Sequence, residues 1–76
     1  MKLKLTRHVQ DMISFRGINI SHIKQALLDP DETKDAYEGK TKAIKEVGEK
    51  TIEVVYCKEA FRDKGEEYLI ITAYYL

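Results

Sequence analysis

Proton transfer near neutral pH is the natural work of an imidazole, and this chain has two, His8 and His22. His8 stands at the start of a helical pattern, beside Met12 and Phe15 at helical spacing, where an unperturbed ring suits general acid–base chemistry. The plainer reading makes it a helix-boundary residue without chemistry. His22 opens a second helical pattern and reads as solvated. Arg16 has the least ordinary position among the cations. At about 100° per residue, Val9, Met12 and Ile13 mark the apolar side of the first helix, and Arg16 falls near the middle of that side. Its planar fork suits a phosphate held over a sheet. Snorkelling outward, or offsetting the helix C-terminal dipole, explains it equally well.

Hydroxyls and phenols gather in the last apolar run. Under strict alternation Tyr68, Ile70, Thr72 and Tyr74 share one face, and Leu69, Ile71, Ala73 and Tyr75 share the other. Ile52, Val54 and Tyr56 share a face of the preceding run. If the register agrees, Thr72, Tyr74 and Tyr56 form one cluster, able to stack a base or bond a phosphate. Cross-strand aromatic pairs also stabilise sheets with no further role. Cys57 has only Lys58 as a basic neighbour, on the opposite strand face, which argues against an activated thiolate. Two histidines without Cys or Asp at ligand spacing do not make a metal site. Asp29, Asp31 and Glu32 read as turn and cap residues, because a calcium loop needs a fuller series. No glycine-rich phosphate loop is present, and no cofactor is expected.

The elements that must position these residues follow from periodicity and punctuation. Lys2-Leu3-Lys4-Leu5 alternates as a short strand with Leu3 and Leu5 inward. Thr6 is a good N-cap for a helix over residues 7–16, and Gly17 a natural residue to end it. Ser21 is the expected N-cap of a second helix, whose apolar stripe is Ile23, Ala26 and Leu27. Asp29-Pro30 ends that helix, since the residue before proline avoids the α region. The remainder reads as four strands. They run from Thr33 to Tyr37, from Thr41 to Val47, from Lys50 to Cys57 and from Glu67 to Tyr75. Glu38-Gly39 turns the chain between the first two, Gly48-Glu49 makes a two-residue hairpin, and Lys58 to Gly65 reads as an exposed charged loop. The last strand is apolar on both faces and should be central or covered on both sides. Ile70, Ile71 and Val54 or Val55 are expected in the core. The result is an α+β domain of order β-α-α-β-β-β-β, two N-terminal helices packed on a mostly antiparallel sheet.

A chain of 76 residues is one domain, 1–76, and buries only about 60% of its unfolded surface, so chemistry is expected in a surface groove. Charged residues form 34% and hydrophobic ones 43%, with no apolar run near the ~20 residues of a membrane span, so no membrane partner is expected. No signal peptide is apparent. One cysteine excludes an internal disulfide, and a cytoplasmic location is the default. Formal net charge is +0 but unevenly placed. Residues 1–28 hold five basic groups (Lys2, Lys4, Arg7, Arg16, Lys24) against Asp11, a difference of +4, which leaves −4 for residues 29–76. The helical half therefore suits phosphate or an acidic partner, or simply attracts the other half.

Several short segments, taken in order, resemble one known family. Thr6-Arg7-His8-Val9, Phe15-Arg16-Gly17-Ile18, Leu27-Leu28-Asp29-Pro30, Glu53-Val54-Val55-Tyr56 and Ile71-Thr72-Ala73-Tyr74 cover nearly the whole chain. Their order is similar to the bacterial and archaeal domain of unknown function family 4258, and more distantly to the BrnT and RelE toxins. The resemblance implies a RelE-like fold and an RNA binder or metal-independent endoribonuclease. In such enzymes the ribose 2′-hydroxyl attacks the adjacent phosphate, and catalysis rests on positioning, charge stabilisation and proton transfer. It matches His8 to a helix-start histidine, Arg16 to a helix-end arginine, and Thr72 and Tyr74 to a terminal strand motif. The expected catalytic set is His8, Arg16 and Tyr74, with Arg7, Tyr56 and Thr72 holding the substrate. The implied partners are RNA and an antitoxin or other protein. This chain departs from the pattern in being neutral, and in lacking a dense basic cluster on the sheet, since Lys42 and Lys45 lie on opposite faces of one strand. The alternative is a non-catalytic protein-interaction module of the same fold.

Overall fold

The computed structural model describes the backbone of residues 2–61 and 65–76, and the side chains of residues 2–58 and 67–76. The elements are β1 (Lys2–Leu5), α1 (Arg7–Arg16), α2 (Ile20–Leu28), β2 (Glu32–Asp35), β3 (Thr41–Val47), β4 (Lys50–Phe61) and β5 (Gly65–Tyr75), with a short 3-10 turn at Tyr37–Gly39. The order is the expected β-α-α-β-β-β-β. The sheet runs β1-β5-β4-β3-β2, antiparallel throughout except that β1 lies parallel to β5. No described helix is long and apolar enough to cross a membrane.

Local chemistry sets the element ends. Thr6 Oγ1 accepts the Val9 N–H at 3.2 Å and caps α1. Gly17 ends α1 at φ 66°, a left-handed conformation that costs glycine nothing. The N-cap of α2 is Asn19, not Ser21: its Oδ1 accepts the Ser21 N–H at 2.8 Å. The helix therefore starts two residues sooner than an N-cap at Ser21 implies. Asp29 ends α2 as expected before Pro30. The hairpin of β3 and β4 has the expected register, with Val47 opposite Lys50 and Gly48 in the turn at φ 71°. The second strand is shorter than its sequence suggests. It stops at Asp35 because Glu38 and Gly39 take positive φ (52° and 73°) and Ala36 N–H closes on the Lys40 carbonyl at 2.8 Å. The expected charged loop from Lys58 to Gly65 is largely strand: β4 continues to Phe61 and β5 begins at Gly65, while 62–64 lie outside the described residues. Cross-strand pairing carries these polar residues into the ladder despite their composition.

Both helices pack on one face of the sheet. Val9 from α1 and Ile23, Ala26 and Leu27 from α2 meet Ala43, Val47, Ile52, Val54, Tyr68, Ile70 and Ala73 in one core, with Ile18 from the linker. Leu3 and Leu5 pack against its edge. The spacing along β5 reveals a bulge. Tyr68 and Ile70 are core residues two apart, but the next is Ala73, three further on. At that point Val55 opposes Thr72 while Tyr56 opposes Ile70, so one extra residue, Ile71, is inserted into β5. Alternation therefore breaks at Ile71. Thr72 and Tyr74 leave the face of Tyr68 and Ile70, and Ala73 and Tyr75 join it. Ile71 is half-buried and lies outside the core, contrary to expectation, and Val55 is buried on the helix-free face.

A polar staple fastens β2 to β3. Lys45 Nζ lies 3.3 Å from Asp29 Oδ2 and 3.2 Å from Asp31 Oδ1, and Glu46 N–H donates to Asp31 Oδ2 at 2.8 Å. The Glu46 N–H, and then Lys45, hold the Asp31 carboxyl below its ordinary value, and Asp31 followed by Asp29 raises Lys45.

Two measurements check this picture. Ile70, fully buried, should lose about 2–5 kcal/mol on mutation to Ala in denaturant melts. Half-buried Ile71→Ala should lose clearly less, and equal losses would remove the bulge-derived facing. Because the folded pKa of Asp31 lies below its unfolded value, its stabilising bonds are present above the ordinary carboxylate range and lost as pH falls through the folded value. The stability gap between wild type and Asp31→Ala should thus be widest near neutral pH and shrink below about pH 3.9. A gap constant from pH 7 to pH 2 would contradict the staple.

Candidate functional site

The bulge and the end of β1 together build a site around Thr72. Strand β1 pairs with β5 only as far as Leu5 opposite Ile70. Thr6 then turns the chain away, its N–H donating to the Ile70 carbonyl and its hydroxyl to the Ile71 carbonyl, both at 3.3 Å. The first turn of α1 consequently stands where β1 would have continued beside β5. There the His8 Nε2 meets Thr72 Oγ1 at 3.1 Å. This contact is exposed to solvent and joins residues 64 apart in sequence. A neutral ring with Nε2 unprotonated accepts the threonine proton, and the other tautomer donates to the hydroxyl.

From Thr72 a straight register row crosses the sheet. Thr72 opposes Val55, Val55 opposes Lys42, and Lys42 opposes Lys34. At about 4.8 Å per strand, Lys42 lies roughly 10 Å and Lys34 roughly 14 Å from Thr72. The row is therefore an imidazole, a hydroxyl, an apolar floor and two ammonium groups. Like charges directly opposite one another destabilise a strand pair, so Lys34 and Lys42 each need a counter-charge. Lys34 Nζ lies 3.5 Å from Glu32 and Lys42 Nζ lies 3.8 Å from Glu53. Glu53 is only 7% exposed and opposes Tyr74 in the next row. Glu67, equally buried, has Lys4 Nζ 3.1 Å from its Oε1 as an ion pair, without an aligned hydrogen bond. Both carboxylates lie on the face of the sheet away from the helices. Cys57 is half-buried on that face too, opposite Leu69. Among the described residues no group of three His, Cys, Asp or Glu side chains converges to hold a metal ion.

The other expected site residues are distributed differently. Tyr74 shares the face of Thr72, two residues further along β5, about 7 Å away. Tyr56 does not join them: it packs against the core on the helix-covered side, its ring edge-on to Tyr68 at 5.4 Å. The cluster of Thr72, Tyr74 and Tyr56 is not formed, because the bulge separates the two faces. Arg16 sits eight residues after His8, about 12 Å along α1, and is exposed, so it does not share a hydrogen-bonding site with His8. Its direction is that of the core stripe, but at the last turn of α1 it overhangs the core. Arg7 is exposed and faces Asp11 at 3.8 Å, one helical turn on.

His22 is not solvated as its position suggests. It is half-buried, with Nδ1 2.8 Å from the Tyr75 hydroxyl and the two rings edge to face at 5.9 Å. The same hydroxyl accepts the Asn19 N–H at 3.1 Å, and Lys50 Nζ lies 4.7 Å above the Tyr75 ring. This cluster ties the start of α2 to the end of β5. No local sequence signal joins residues 53 apart, and strict alternation places Tyr75 on the wrong face. Each imidazole thus has one hydroxyl partner from β5, on opposite sides of the sheet.

Comparison with protein-family models, with curated proteins and with solved structures finds no match to this chain.

The two histidine pairings are separable by nitrogen-15 spectra of the imidazoles. Thr72→Val should move the His8 Nε2 resonance and leave His22 unchanged, and Tyr75→Phe should move His22 Nδ1 and leave His8 unchanged. Cross-effects of equal size would mean the two sites are not separate.

Proposed function

We propose that this chain is a RelE/BrnT-like domain that holds single-stranded RNA across the helix-free face of its sheet and cleaves it with His8 as the proton-transfer group. The observation that carries this reading is the row from His8 through Thr72 and Val55 to Lys42 and Lys34. It supplies a proton acceptor at one end and two cations for backbone phosphates at the other. No described helix covers this face, and Val55, 5% exposed, lies beneath the row between its polar ends.

The chemistry asked of these groups is modest. The 2′-oxygen forms a bond to the adjacent phosphorus while the bond to the 5′-oxygen breaks, leaving a 2′,3′-cyclic phosphate and a 5′-hydroxyl. His8 takes the 2′-hydroxyl proton, and the Thr72 hydroxyl fixes the ring orientation. In this reading the Tyr74 phenol, on the same face as Thr72, returns a proton to the 5′-oxygen. Lys42 offsets the charge that develops on the phosphate oxygens. Arg7 stands next to His8 at the mouth of the row, and Arg16 reaches the strand only beyond it.

One observation favours the alternative, a non-catalytic module that binds an antitoxin or other protein. Each lysine of the row already has a glutamate beside it, so the face is electrically balanced. The two readings separate in one experiment, in which purified protein is incubated with labelled single-stranded RNA at low salt in EDTA. The RNA reading expects binding, with cyclic-phosphate ends on the products. His8→Ala should slow cleavage by ~10²–10⁴-fold with little change in binding. Lys42→Ala should weaken binding and lower the salt slope by about one. Absence of both binding and cleavage by the wild type would leave the protein-interaction module.

A further inference from the structure

Phe15 is 84% exposed, more than any other large apolar side chain among the described residues, and nothing in the fold requires it there. A lone exposed apolar residue is ordinary, but the surroundings of this one are not. Phe15 follows His8 by seven residues, which on an α-helix is two turns less about 20°. The ring therefore stands in line with His8, about 10.5 Å along the surface of α1. Arg16 is the next residue, exposed, and no described residue bonds or pairs with it. The carboxylate of this helix, Asp11, lies between His8 and Phe15 and is countered by Arg7. One side of α1 thus carries an imidazole and an unpacked aromatic ring, and the uncommitted Arg16 guanidinium follows in the last turn, about 100° round the helix from Phe15.

Proteins that hold single strands without sequence preference combine cations that follow the backbone with aromatic rings on which bases stack. Within α1, Arg7 and Arg16 stand against Asp11 alone, and the surplus of +1 has the sign a polyanion needs. We propose that Phe15 stacks a nucleobase of the RNA strand, one whose backbone passes His8 and is held beyond it by Arg16. The inference rests on the RNA reading above and extends its track from the sheet onto α1. It makes Phe15 a substrate-positioning residue, selective for a strand that presents unpaired bases over one that presents only sugar and phosphate.

The chain contains no tryptophan, so Phe15→Trp places a single indole reporter at the position, and a side chain this exposed is replaceable without unfolding the domain. The probes are an oligoadenylate RNA and an abasic strand of equal length, with His8→Ala in the background to prevent cleavage. In the Phe15→Trp protein, oligoadenylate should quench the emission and the abasic strand should not. Phe15→Ala should bind oligoadenylate about 5- to 160-fold more weakly, the range that stacking of one base supplies, while binding the abasic strand as the parent does. If the parent binds oligoadenylate and Phe15→Ala binds it equally, with the indole unquenched, the stacking inference falls and the RNA reading stands. If the parent binds neither probe, the RNA reading falls and the stacking with it. An indole emission that shifts to the blue with rising protein concentration, without RNA, would show the position covered by a second copy of the chain and would also overturn the inference.

Discussion

The bulge at Ile71 decides which side of the sheet each later residue of β5 occupies. A regular strand would send Ile70, Thr72 and Tyr74 toward the helices and leave Ala73 and Tyr75 outside. With one residue inserted opposite Val55 and Tyr56, Ile70 and Ala73 both face the helical layer and are fully buried. The exchange suits packing, since the core takes the Ala73 methyl group in place of the Thr72 hydroxyl. Tyr75 also enters on that side, where its hydroxyl satisfies the start of α2 and His22. What the core gains by this, the other face gains in chemistry, because Thr72 and Tyr74 are released onto it.

The same bulge lies where β1 stops. Thr6 serves three groups at once: its N–H and its hydroxyl donate to Ile70 and Ile71, and its hydroxyl oxygen caps α1 by accepting from Val9. The start of α1 is thereby fixed to the irregular stretch of β5, and His8 is set beside Thr72 by backbone bonds on both sides. A site held in this way costs little side-chain entropy to maintain, because its two partners are positioned by elements that must form for the core to exist. Arg16 shows the converse. Two helical turns away and past the edge of the core, it has no such support, and it is free to meet a ligand.

The helix-free face carries its charge in close ion pairs, two across strands and one within β2. Lys42 with Glu53, Lys34 with Glu32 and Lys4 with Glu67 neutralise one another within the sheet. Half-buried apolar side chains lie between them, and Val55 is nearly covered. Such a surface presents no standing positive field, and a polyanion would meet its lysines only by displacing these glutamates.

Much of this architecture was legible in the residues alone. The alternation of Lys2–Leu5, the cap at Thr6, the glycine at 17, the stop at Asp29-Pro30 and the turn at Gly48 are local signals, and each stands where it was expected. Local rules failed where two hydrogen-bonding side chains competed for one role, as Asn19 and Ser21 did. They failed again where partners supplied what composition withheld, as in the polar ends of β4 and β5. The site was legible as residue types but not as an arrangement. His8, Thr72 and Tyr74 were identifiable from their chemistry, yet the bulge and the exclusion of Tyr56 arise from the register of β4 with β5, and the pairing of His22 with Tyr75 joins residues 53 apart. A strand's facing depends on its register with a neighbour, and one inserted residue inverts it. Sequence by itself determined the elements and their order; the tertiary structure decided which side chains share a surface, because only packing against the helices selects the frame in which β5 alternates.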